Sequence, residues 1–270
     1  MANAIHLPKA ERLSVITAGI LVCYASLPLV QVPAREIAFV LFGIQVAFRF
    51  NFFNAISIIT AGLAASGMEW LLYDHPSREG HNTLPHLILP ALTAAAIGYP
   101  LGLIESGAAW WVLLALGSVL IVLVLISEYI SLEPRDLRYP LAMMVLSGTS
   151  YSLLLILTIA LRSADLRLYQ MLLLLPAIYA FFSLRILNFR LGGRWRFGWT
   201  AVITLVITQV LIALYYWPLS PVRFGLLLLG PAYALIGLAA ALEEKPELKN
   251  IFIEPLVMLS ILWLLAIFIP

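Results

Sequence analysis

The sequence predicts an all-α polytopic membrane protein, a bundle of nine or ten transmembrane helices, and three observations predict it. Hydrophobic residues make up 63% of the chain and charged residues 11%, with a mean hydropathy of +1.00, whereas a soluble domain carries about 25% charged residues. A chain of 270 residues needs polar side chains to cover its surface in water, so the apolar surplus has to face lipid. The apolar runs are about 20 residues long, enough for a helix to cross a hydrocarbon core of about 30 Å. They lack the period-two alternation of an outer-membrane barrel.

The first apolar run covers residues 13–30 and follows Lys9 and Arg12. It reads as an uncleaved span, because the bulky Val22 before Cys23 does not suit a lipoprotein cleavage site. A second run, 37–48, is short for a crossing and is closed by Arg49, Asn51 and Asn54. It is read as a tilted short helix or as a re-entrant segment that leaves on the side it entered, and this choice separates ten spans from nine. The third span reaches Trp70 through Ala61, Gly62, Ala64, Ala65, Ser66 and Gly67, small residues that let another helix approach closely. Further spans fall at 87–104, 108–126, 141–161, 168–187, 198–217, 224–242 and 251–269, with no linker between them, so residues 1–270 are expected to form one membrane domain.

Tryptophans 70, 110, 111, 199 and 217 stand near span ends, where amphipathic rings prefer the interface, and Trp263 alone sits well inside a span. Pro90, Pro176 and Pro231 fall within spans. Each leaves a carbonyl without its helical donor, which predicts a kink or a polar notch.

Lys and Arg concentrate on the cytoplasmic side of membrane proteins. Ten spans put ten of the 16 basic residues on one side and an outside N-terminus; nine spans put eleven on one side and an inside N-terminus. In both, the connection from His75 to His86 is cytoplasmic and the C-terminus is not. The expected location is a bacterial-type plasma membrane. The net charge of +2, with no polybasic tail, excludes nucleic acid as a partner. The single cysteine, Cys23, excludes a disulfide framework or a Cys-based zinc site within one chain.

The densest ionisable chemistry lies in residues 67–90, which hold Glu69, Asp74, His75, His81 and His86. The spacing of His81 and His86 resembles one histidine box of the membrane desaturases and hydroxylases. That family places several boxes around two irons, and the only other histidine here is His6. No cofactor is therefore expected; a single zinc held by His75, His81, His86 and a carboxylate is the metal alternative. Glu69, about one turn inside its span, is a candidate proton or cation site together with these histidines. The plain alternative is a wet loop whose Asp74, His75 and Asn82 cap helix ends.

Arg49, Asn51, Asn54 and the mid-span Gln209 are candidate substrate-binding residues. Arg185, Arg190, Arg194 and Arg196, interleaved with aromatic residues, are candidates for contact with lipid headgroups or a phosphate. Gly192-Gly193 reads as a turn rather than a phosphate cradle. Glu128, Glu133, Arg135, Asp136 and Arg138 read as solvated loop charges. A nucleophile elbow, a Walker sequence and a lysine in the last span are all absent, which removes the familiar enzyme and photoreceptor classes.

Three functions remain. The first is a small transporter or lipid-handling protein with a polar intramembrane cavity; the second is a membrane-embedded enzyme acting on a lipid-linked or phosphorylated substrate. The third is a structural subunit of a larger complex. The expected partners are membrane lipids, a lipid-like or small-molecule substrate, and a second copy or another membrane protein.

Overall fold

A computed structural model describes residues 8–30, 35–41, 44–50, 52–76, 83–134, 136–244 and 251–269, with the two strands and Leu103 described by their backbone alone. His81 and Asn51 lie outside the described residues. The fold is an all-α bundle of a polytopic membrane protein. Among the described residues there are nine helices: α1 Ala10–Ala25, α2 Phe52–Leu72, α3 Leu84–Leu103, α4 Ala108–Ser131, α5 Tyr139–Ser163, α6 Leu168–Arg190, α7 Phe197–Tyr215, α8 Pro221–Glu244 and α9 Ile253–Phe268.

Eight of them are long and apolar enough to cross a membrane, counting α1 with the 3-10 turn Leu27–Leu29 that extends it. The ninth, α9, has 16 residues, about 24 Å at 1.5 Å per residue. No more than 56% of any of the eight spans is buried within the protein. The rest is apolar surface, carried by side chains such as Val15, Ile58, Trp111 and Leu205, and that surface faces lipid.

The segment 37–48 is neither a tilted helix nor a helical re-entrant segment. It belongs to an antiparallel hairpin of β1 Arg35–Leu41 and β2 Ile44–Phe50, in which Leu41 faces Ile44 and Glu36 faces Arg49. The physical reason is in its pattern: Ile44, Val46, Phe48 and Phe50 alternate with Gln45, Ala47 and Arg49, the period of a strand. The hairpin connects the C-terminal end of α1 to the N-terminal end of α2, so the chain returns at the end it left, and the segment adds no helical crossing.

The chain divides into two compact units, Met1–Leu146 and Ser147–Pro270, with the boundary inside α5. In the first, α1 packs on α2 and α4, α2 on α3, and α3 on α4, closing a four-helix ring. Its core stripe on α1 is Ile16, Ile20 and Tyr24; on α4 it is Trp110, Leu114, Gly117, Ile121 and Leu125, both at helical spacing. Water does not drive these helices together in lipid, so close packing has to. At Gly67 a Cβ would lie 2.7 Å from Ile16 Cγ2; the missing side chain is what lets α1 and α2 approach. Ala64 is buried too, whereas Gly62 lies in open space, so only part of the small-residue run serves this contact.

In the second unit α6 packs on α7 and α8, α7 on α8, and α8 on α9. The Thr158 and Tyr179 hydroxyls, 3.2 Å apart, tie α5 to α6. α6 ends in a left-handed turn in which Gly192 and Gly193 have φ of 60° and 86°. The Gly193 N–H returns to the Asn188 carbonyl at 2.9 Å, a Schellman closure that makes these glycines a helix stop. Pro231 removes the donor that would serve the Leu227 carbonyl four residues earlier. Trp263 of α9 supplies the replacement, its Nε1–H donating to Leu227 O at 3.3 Å. The one tryptophan inside a span thus fills the notch that a proline opens.

Candidate functional site

One end of the first unit gathers the N-terminal ends of α1 and α3 and the C-terminal ends of α2 and α4. His86 stands in the first turn of α3, and its Nδ1 lies 2.7 Å from Oε2 of Glu128 on α4. Glu128 is 0% exposed and His86 15%, so the carboxylate is enclosed while an edge of the imidazole reaches the surface. The Ser131 hydroxyl donates to the Glu128 carbonyl at 2.8 Å and lies 3.1 Å from the same Nδ1. The partial positive charge of the first turn of α3 faces the Glu128 carboxylate and stabilises an anion there. Serine and acid meet the same ring nitrogen, so the three residues are not a Ser-His-Glu nucleophile relay, which needs them on opposite nitrogens.

Glu128 was read from sequence as a solvated loop charge, and the structure corrects that. It continues the buried stripe of α4, three residues after Leu125 and seven after Ile121, and the same 3.6-residue period carries it into the core.

His75, just past α2, is buried at 6% and sets its ring edge-on to Tyr129 at 4.5 Å. Beside it, Asp74 takes both Lys9 Nζ at 2.6 Å and Arg12 at 2.7 Å. Arg12 also donates to the Trp70 carbonyl at 2.7 Å and lies over the Trp70 ring at 5.0 Å. These bonds clamp the start of α1 to the end of α2. The Lys9 hydrogen bond, helped by the Arg12 charge and opposed by partial burial, holds the Asp74 carboxyl below the usual range.

Glu69 is half-buried in the last turn of α2, and so belongs to the same end. Asn54 sits in the first turn of that helix, 15 residues earlier and therefore about 22 Å away along the axis. Arg49 is on β2, before α2 begins. Of the expected substrate-binding residues, Arg49 and Asn54 thus lie at the other end of the first unit from Glu69, while Gln209 is exposed on α7 of the second unit. Among the described residues no group of three His, Cys, Asp or Glu side chains is placed to hold a metal ion.

The family model described as Protein of unknown function (DUF5656) matches residues 32–269. The chain belongs to that family. No curated protein and no solved structure matches it. The DUF5656 span takes in His75, His86, Glu128 and Ser131, whereas Lys9 and Arg12 precede it. In this DUF5656 chain most of the expected headgroup arginines make contacts within the protein. Arg185 is 3% exposed, 4.1 Å over the Phe189 ring, and donates to Asn188 Oδ1 at 3.3 Å. Arg190 lies 5.8 Å from the centre of the Tyr233 ring, whose hydroxyl donates to Glu254 at 3.1 Å. Arg196 pairs with Glu243 at 2.7 Å, and Arg194 is exposed. Arginine's fork and flat face explain the pattern, since both are satisfied by a carboxylate, an amide or an aromatic ring.

Trp110 departs from the interfacial role expected of it. It is 2% exposed and donates Nε1–H to the Leu101 carbonyl at 3.2 Å. It closes the turn between α3 and α4 instead of anchoring in headgroups. Near it the first unit holds an open cavity of about 440 Å³, lined by Leu27, Phe52, Phe53, Leu101 and Trp110 together with Ser106.

Proposed function

We propose that this multi-pass membrane protein is a small proton-coupled carrier for a lipid-like or amphiphilic molecule, with His86 and Glu128 as its proton-binding pair. The observation that carries the reading is the enclosure of the Glu128 carboxylate, 2.7 Å from a histidine whose edge reaches the surface. A buried ion pair is seldom more stable than two apolar side chains of similar size. Ionisable residues inside membrane spans accordingly mark ion or proton paths. Histidine is the side chain whose charge changes between about pH 5 and 8.

The chemistry is a change in the charge of the pair. With Nδ1–H and Nε2–H both present, imidazolium and carboxylate cancel. When the proton leaves Nε2, Nδ1–H still donates to Glu128 and the pair carries one net negative charge within the bundle. That charge favours a different arrangement of α3 and α4, whose contact the pair bridges, and so links proton binding to movement of the two helices. The open cavity bordered by Phe52, Phe53 and Trp110, at the other end of the same unit, exposes polar as well as apolar surface, which suits an amphiphilic cargo.

The orientation that goes with this reading puts the His86 end of the first unit in the cytoplasm, on the strength of eleven basic residues against five. The test uses proteoliposomes with an entrapped pH dye and an imposed gradient. On addition of cationic, anionic or neutral single-chain amphiphiles, the wild-type protein should dissipate the gradient faster than Glu128→Gln for at least one class. Equal rates for wild type, variant and empty liposomes with all three classes would remove the carrier reading.

A further inference from the structure

Two opposite charges, Arg162 and Asp165, line one open pocket of the second unit without pairing to each other. The pocket, of about 360 Å³, lies where the C-terminal ends of α5 and α7 come together with the N-terminal end of α8. Ser163 stands between the two charges in sequence, and Leu166, Tyr215, Leu219 and Pro221 complete the wall.

The fold holds each charge separately. The half-buried Arg162 guanidinium lies over the Tyr215 ring at 5.4 Å and over the Phe224 ring at 5.0 Å, and it donates to the Trp217 carbonyl at 3.4 Å. An arginine that merely snorkels to water has no such bracing; here two rings take up the cation and leave most of its N–H donors for a ligand. Asp165 is exposed in a left-handed turn, φ 49°, just past α5, and its N–H returns to the Arg162 carbonyl at 3.3 Å. The Tyr215 hydroxyl donates to the Leu166 carbonyl at 3.0 Å and fixes the end of α7 to the same turn. Among the described residues no carboxylate pairs with Arg162, and no hydrogen bond or ion pair engages the Asp165 carboxylate.

Depth and charge together decide what fits. Tyr169 at the start of α6 and Tyr216 and Trp217 just past α7 are all exposed at this end, and such rings settle at the headgroup layer. An acyl chain answers neither charge, and a headgroup with a phosphate alone answers Arg162 and is repelled by Asp165. A phosphate and an ammonium in one headgroup answer both, the phosphate on the arginine fork and the ammonium on the carboxylate. The nearby faces of Tyr215 and Phe224 are already occupied by Arg162, so no aromatic cage is left for a quaternary ammonium, and a primary ammonium with N–H donors suits Asp165 better. Leu166, Leu219 and Pro221 give the glycerol and first methylenes an apolar side to lie on.

We propose that this pocket binds the headgroup of a phosphoethanolamine lipid, with its phosphate on Arg162 and its ammonium on Asp165. The site shares no residue with the pair His86 and Glu128 and stands or falls separately from the carrier reading.

The test is native mass spectrometry of the full chain, purified in detergent and mixed with equal concentrations of phosphatidylethanolamine and phosphatidylglycerol that carry the same acyl chains. The wild type should retain phosphatidylethanolamine over phosphatidylglycerol by about fivefold. Asp165→Asn should erase that preference; the side chain is exposed and asparagine adopts the left-handed turn readily, so the fold is kept. Arg162→Gln should lower retention of both lipids. Glycerophosphoethanolamine, the same headgroup without chains, should displace little of the bound lipid at equal concentration. A wild type without the preference, an Asp165→Asn chain that keeps it, or an Arg162→Gln chain that binds both lipids as the wild type does would overturn the proposal. Full displacement by glycerophosphoethanolamine would overturn it too, in favour of a soluble zwitterion.

Discussion

At the scale of residues, the pair His86 and Glu128 puts function and stability in opposition. Glu128→Leu leaves the imidazole facing an apolar surface and should cost about 3–5 kcal/mol. The double variant His86→Leu/Glu128→Leu should recover most of that loss while abolishing any proton coupling. Unfolding of all four chains in one detergent gives the cycle, and a double variant whose loss equals the sum of the two single losses would show that the two residues are energetically independent. Asp74 makes a separate prediction in pH. Its carboxyl titrates below the ordinary range in the folded protein, so its clamp contributes in full above about pH 4, the unfolded value. The contribution is lost as pH falls through the lower, folded value. The melting temperature of wild type should therefore exceed that of Asp74→Asn at neutral pH, and the two should converge in strong acid.

Half of this site was legible from sequence. His75 and His86 stood out because histidines are few and three of the four fall within one short stretch. Glu128 is hidden in the sequence because the charged residues Glu133, Arg135, Asp136 and Arg138 follow it and make it resemble part of a loop. Counting in steps of three and four from Trp110 through Leu114, Gly117, Ile121 and Leu125 would have landed on Glu128 and given the histidine its partner. What no count along the chain supplies is the choice of helix neighbour, since α3 and α4 meet through tertiary packing.

At the scale of elements, run length located the helices and run period should have located the hairpin. The length of the apolar stretch 37–48 suggests a short helix, and its alternation is the stronger signal. Gly67 shows how narrow the tolerance is at a contact that was anticipated: Gly67→Leu drives a side chain into Ile16 and should destabilise the first unit by about 1–3 kcal/mol. The mirror change Ile16→Ala in the Gly67→Leu background should restore part of the loss in a thermal unfolding assay. A full loss that Ile16→Ala does not relieve would place the strain elsewhere.

At the scale of the whole molecule, the nine helices among the described residues relate the termini to each other. A chain in which all nine cross has its two ends on opposite sides of the membrane, and the orientation proposed above puts the N-terminus in the cytoplasm. A C-terminal alkaline phosphatase fusion should accordingly be active, and a C-terminal green fluorescent protein dark, in bacterial cells. The reverse pattern would mean that α9, at 16 residues, does not cross or that the whole chain is inverted.

The bond from Trp263 to the Leu227 carbonyl also bears on how the chain is made. When α8 leaves the ribosome it carries a carbonyl that Pro231 has stripped of its donor, and α9 has not yet been synthesised. A lone α8 released into lipid would hold that carbonyl bare. The pair should instead partition as a helical hairpin, with α8 retained at the insertion machinery until Trp263 emerges. Trp263→Phe would cost the finished protein only about 0.6–1.7 kcal/mol. Its larger effect should appear during biogenesis, as slower release of α8 in a pulse-labelled insertion assay and a lower yield of a protein that is nearly as stable as the wild type.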